Sequence, residues 1–179
     1  SARLVALWQA YGFVHGVMNT DNMSILGETF DYGPYTFMDH YEPWHVANKN
    51  DGEGRYAFER QPLIMRWNVA MLGRALSPLV PLAQQEAQLS RFEGLYQEAY
   101  MSRMRARLGL QTARDDDASL VRELLASLAL GGGDLNRTLR ALSDDDTLEG
   151  GARGEPSEGL MSAWGRSREL KVWCERLRG

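Results

Sequence analysis

Asn22 and Asp31 are the residues best suited to hold a hard cation, with Asp21 beside them as a proton acceptor. An amide oxygen and a carboxylate are ligand types that Mg2+ takes, with water and phosphate filling its remaining positions. For the two to converge, the chain between them must reverse. Met23–Leu26 can extend as a strand, Gly27-Glu28 can form a type II′ turn with glycine first, and Thr29–Tyr32 can return. That register sets Leu26 opposite Thr29, Ile25 opposite Phe30 and Ser24 opposite Asp31. Asn22 and Asp31 then become diagonal neighbours on one face, with Cα atoms about 7–8 Å apart. Asn and Asp are also ordinary turn formers and caps, so residue type alone leaves two readings open, a cation site or a polar turn.

Other polar groups compete less well. His40 and His45 with Asp39 imitate metal ligands, but a spacing of five lacks the i, i+4 geometry of a helical zinc motif. Arg55 and Arg60 could contact phosphate. They could equally pair with Glu53 or Glu59, or fasten their segment to a helix beginning near Gln61. The acidic runs 115–117 and 144–146 read as solvated helix caps rather than metal sites.

Around these residues the chain must build its supports. Its 179 residues suit one domain, and 44% hydrophobic with 25% charged side chains can bury a core, which excludes a disordered chain. A net charge of −4 gives no basic field for nucleic acid. No apolar run approaches the ~20 residues that span a bilayer, so no membrane partner is expected. One cysteine, Cys174, cannot form an internal disulfide, and a reducing, cytoplasmic setting is expected.

Leu4, Leu7, Trp8 and Tyr11 predict a helix already under way at the first residues and ending near Gly12. With no initiator Met and no signal-peptide layout, the chain is expected to be a piece of something longer. Residues 13–62 hold all three histidines and most of the special residues, while 63–179 read as a helical region. There the stripes are Ile64, Trp67, Met71, Ala75 and Leu79; then Leu89, Phe92, Tyr96 and Ala99; then Leu120, Val121, Leu124, Leu125 and Leu128. A short helix with Leu135, Leu139 and Leu142 follows the break at Gly131-Gly132-Gly133. A flexible loop is expected at 149–159, then one last helix with Leu160, Trp164, Trp173 and Leu177.

His15, Asn22 and Asp31-Tyr32-Gly33 are similar to the catalytic-loop and D-F-G succession of protein kinases, in which Asn likewise stands seven residues after His. The kinase base would fall at the second position after His, where this chain has Val17. That departure, with "HGVMNTDNMSILGETFDYGP", "YEPWHVANKNDGEGRYAFERQP" and "WNVAMLGRALSPLVP", resembles the selenoprotein O family, also called YdiU, over about residues 11–81. The resemblance implies a mainly α fold: a protein-kinase-like (pseudokinase) C-terminal lobe, with the small β-hairpin carrying the active-site loop.

It also implies AMP transfer from ATP to protein hydroxyls, with the nucleotide flipped relative to kinases. Asp21 would be the base, Asn22 and Asp31 would hold Mg2+, and Asp31 would also lie near the ATP phosphates. By the kinase likeness, His15 supports the loop by hydrogen bonding. Ala47 stands where some members carry a cysteine, so no disulfide switch is expected and Cys174 reads as a partly buried thiol.

Residues 1–179 thus read as a partial lobe. Kinase-like folds need a glycine-rich lid and a phosphate-contacting lysine, and the only lysines here are Lys49 and Lys171. The chain alone is therefore expected to bind ATP weakly, transfer little AMP and self-associate through exposed apolar surface. A non-catalytic docking module and a kinase-type phosphotransferase are the alternative readings.

Overall fold

The computed structural model describes residues 1–143, 157–164 and 168–178; the acidic run 144–146 and most of the loop expected at 149–159 lie outside them. The described chain is mainly helical. Its helices are α1 (Ala2–Tyr11), α2 (Gln61–Ala75), α3 (Leu82–Arg107), α4 (Asp117–Gly131), α5 (Leu135–Ser143), α6 (Glu158–Trp164) and α7 (Arg168–Arg178). One antiparallel pair joins β1 (Phe13–Val14) to β2 (Thr36–Phe37), with Phe13 opposite Phe37 and Val14 opposite Thr36. Two compact units result, one of residues 1–37 and 43–100, the other of 38–42 and 101 onward. No described helix is long and apolar enough to cross a membrane.

In the first unit α1 ends where expected, because Gly12 takes the left-handed conformation (φ 68°) and its N–H closes back on Gln9 and Trp8. Its inward face differs from the expected stripe. Ala2, Val5, Ala6, Trp8 and Ala10 are buried, whereas Leu7 and Tyr11 are exposed. Alanines let a neighbouring helix lie close, and a count of large apolar residues misses that. Val5, Trp8, Phe13, Met18, Ile64, Met65 and Phe92 meet in one core. On α2 the buried face is Gln61, Ile64, Met65 and Asn68, and Trp67 lies outside it, 43% exposed. On α3 the expected positions hold: Phe92 is buried and Leu89, Tyr96 and Ala99 are half-buried.

The hairpin expected within 23–32 does not form. The strands that do pair lie outside it, at the two ends of the 15–35 segment. Long-range bonds hold the expected return strand to α1 and His15 instead. Trp8 Nε1–H donates to Thr29 Oγ1 (2.9 Å), and the Phe30 carbonyl lies 3.0 Å from His15 Nε2. The reversal sits instead at 24–27, where Gly27 N–H donates to Ser24 O (3.2 Å) and Leu26 N–H to Ser24 Oγ (3.1 Å).

In the second unit the expected stripes are buried on α4 (Leu120, Val121, Leu124, Leu128) and α5 (Leu135, Leu139, Leu142). The single last helix is in fact two, α6 and α7, and the rings of Trp164 and Trp173 meet at 5.1 Å. Trp173 Nε1–H donates to Leu120 O (2.9 Å), which ties α7 to α4. Cys174 is fully buried rather than partly so. Asp117 is no solvated cap either. It is 2% exposed, and its carboxylate accepts from Arg105 Nε and from Arg114 N–H.

Those two donors hold the Asp117 carboxyl below its ordinary range, the Arg105 hydrogen bond contributing most. A carboxyl lowered on folding adds stability above its unfolded value of about 4, and that stability drains as pH falls through the lower native value. Asp117→Ala is therefore expected to cost about 2–3 kcal/mol at pH 7 in urea unfolding, and to flatten the acid limb of stability against pH. An unchanged acid limb would contradict it.

Candidate functional site

The 15–22 segment is held from below by two amides on one face of α2. Gln61, fully buried, donates through Nε2 to Phe13 O (2.9 Å) and accepts His15 N–H at Oε1 (2.9 Å). Asn68, seven residues on and so two turns along the same face, donates through Nδ2 to Met18 O (2.9 Å). Between these anchors Gly16 takes φ 80°, and a Cβ there would meet Pro34 Cγ at 3.1 Å and the Ala47 Cβ at 3.2 Å. Only glycine fits that conformation and that approach.

His15 links this anchored segment to Asp31. Its ring is buried beside Trp8 and Phe13, with centroids 5.3 and 6.3 Å away. Val17 N–H points to Nδ1 (3.4 Å), which assigns the proton to Nε2, and Nε2–H donates to Phe30 O (3.0 Å). The residue after Phe30 is Asp31, exposed and held at φ 56°, a left-handed conformation that Asp tolerates better than most residues. Gly33 N–H then donates to Asp31 O (2.8 Å) and turns the chain away.

Asp21 and Asn22 lie on a single 3₁₀ turn, Thr20–Asn22, closed by Asn22 N–H on Asn19 O (3.0 Å). Asn22 Nδ2 donates to Val17 O (3.3 Å), which commits the nitrogen and leaves Oδ1 as an acceptor. Asp21 is exposed and Asn22 half-buried. The hairpin face that was to align Asn22 with Asp31 is absent, so their placement comes from the Val17 tether and the His15–Phe30 bond instead. Ser24, expected across from Asp31, is spent on its own turn. Ile25 and Leu26 at its tip are 76% and 78% exposed.

Arg55 and Arg60 fasten their segment, as one reading of the sequence had it, and among the described residues their guanidinium groups meet carbonyls and rings rather than carboxylates. Arg60 donates to Glu53 O (3.2 Å) and Gly54 O (3.1 Å) and lies over the Trp44 ring. Arg55 lies over the rings of Tyr56 and Trp67, 5.7 and 5.2 Å from their centroids. Among the described residues no group of three or more His, Cys, Asp or Glu side chains could hold a metal ion. An Asn-plus-Asp pair would need water and phosphate to complete a Mg2+ shell. Sequence reasoning missed Gln61 and Asn68, although they share the 3.6-residue period of Ile64 and Met65 and could have been found on it.

Residues 1–177 match the family model described as protein adenylyltransferase SelO. The protein nucleotidyltransferase YdiU of Chromohalobacter salexigens is 51% identical over 179 residues, 99% of this chain and 35% of that protein. Its counterpart in Hahella chejuensis is 54% identical over 152 residues, 83% of this chain and 31% of that protein. The Pseudomonas paraeruginosa protein is 49% identical over 178 residues, 98% and 37%. The chain spans about a third of the length of the curated relatives it matches.

Gln61→Leu keeps much of the volume but strands Phe13 O and His15 N–H in the core. Each buried, unpaired group costs about 1–3 kcal/mol, so the variant is expected to lose about 3 kcal/mol in urea unfolding, with faster hydrogen exchange at the His15 amide. Wild-type exchange at His15 would show that the amide is no anchor.

Proposed function

The chain belongs to the SelO family of protein adenylyltransferases, and on that premise we propose that it carries the proton- and magnesium-handling part of AMP transfer from ATP to protein hydroxyls. The observation that supports this reading is the His15 Nε2–Phe30 O bond, which joins the segment leading into the Asp21–Asn22 turn to the residue before Asp31. A kinase-like lobe is the fold this implies.

In the proposed reaction the acceptor hydroxyl oxygen attacks the α-phosphorus. The bond from that phosphorus to the bridging oxygen breaks, pyrophosphate leaves, and the hydroxyl proton passes to the Asp21 carboxylate. Exposure on a short turn lets Asp21 reach an incoming side chain. Asn22 Oδ1 and the Asp31 carboxylate are hard oxygen donors and fit Mg2+, which when bound would neutralise phosphate charge. Anchoring from α2 keeps these groups in place, so positioning is the main contribution of the protein itself.

The test uses the full-length protein with Mg2+ and ATP labelled at either the α or the γ phosphate. Label is expected on protein from α-³²P-ATP alone. Asp21→Asn is expected to lower transfer about 10²–10⁴-fold, and Asp31→Asn to raise the Mg2+ needed for half-maximal rate. Label from γ-³²P-ATP would mean phosphoryl transfer, and no label from either would favour a docking module.

A further inference from the structure

Asn19, at the head of the turn that carries Asp21, is gripped from a distant stretch of chain. Tyr56 Oη–H donates to Asn19 Oδ1 across 37 residues of sequence. The Asn19 backbone carbonyl accepts Asn22 N–H, so the residue whose side chain receives the phenol also closes the turn. Tyr56 is itself fixed on three sides. The Asp51 carboxylate accepts both Arg55 N–H and Tyr56 N–H, each at 2.8 Å. Arg55 lies over the Tyr56 ring and over Trp67 of α2, and the Tyr56 ring packs on the core that includes Met18 and Met65. The hydroxyl is thus presented by a rigid mount built on the same helix that anchors Phe13, His15 and Met18.

From this juxtaposition we infer that Tyr56 is a positioning residue for Asp21, acting through Asn19, an inference that rests on the proposed role of Asp21 as base. The Asn22 backbone shares the turn, but its side chain has a separate tether to Val17. Loss of the Tyr56 hydroxyl therefore loosens the turn at Asp21, while the Val17 tether keeps the Asn22 side chain in place. A general structural defect would move all of these together.

The experiment is Tyr56→Phe in the full-length protein, which keeps the ring, its core packing and the Arg55 stacking. Expected are a kcat for AMP transfer lowered about tenfold, with KM for ATP and the half-saturating Mg2+ within about twofold of wild type. Asn19→Ala should lower kcat as much, and the double variant no further than either single one. Hydrogen exchange in the 19–22 segment should quicken in Tyr56→Phe while α2 stays unchanged. Unchanged exchange there overturns the tether whatever the activity, and additive losses or a parallel rise in the Mg2+ requirement overturn the positioning role. A wild-type protein that transfers no label would instead overturn the proposed function and the kinetic half of this inference, while exchange still decides the tether.

Discussion

Three backbone groups of the segment before the turn, Phe13 O, His15 N–H and Met18 O, are answered by two amide side chains of one helix. The rest of the site depends on that arrangement. Loop backbone enters a core only if its polar groups find partners, since each one left bare costs about 1–3 kcal/mol. Here α2 supplies the partners at positions seven residues apart, so the loop inherits the straightness of a helix over two turns. A loop held this way can present exposed side chains without its own backbone drifting.

Burial and exposure divide the labour. His15, Gln61, Met18 and Asn68 are buried and make the scaffold, while Asp21 and Asp31 are exposed and can meet ligands. His15 joins the two, as its ring reaches from the anchored segment to the carbonyl before Asp31. Asp31 sits in a left-handed conformation that most residues avoid, and the Phe30 and Gly33 bonds on either side hold it there. Gly16 is a second fixed point, because Pro34 and Ala47 come too near for any side chain.

Much of this was legible in the sequence. The stripes of α4 and α5 and the stop at Gly12 follow from spacing and turn chemistry, and the support role of His15 was implied by the likeness to protein kinases. The errors share a physical origin. Periodicity counts large apolar residues, so it placed Leu7, Tyr11 and Trp67 inward. It passed over Ala6, Ala10, Gln61 and Asn68, which are buried because of what they touch. The Gly27-Glu28 turn follows from local chemistry, but the reversal forms at 24–27, and long-range bonds fix the Thr29 side chain to Trp8 and the Phe30 carbonyl to His15. Asp117 looked like a cap because its partner Arg105 lies twelve residues earlier, beyond any local rule. Nothing in composition foretold the Tyr56–Asn19 contact, which exists only once residues 43–60 fold back on the turn.

The most direct measurement is an anomalous-scattering map of the full-length protein crystallised with Mn2+ and a non-hydrolysable ATP analogue. If Asn22 and Asp31 form one cation site, the metal peak lies between Asn22 Oδ1 and the Asp31 carboxylate, against the nucleotide phosphates. A peak held by other side chains, or an Asn22 amide turned away from it with the Val17 tether broken, would contradict that site.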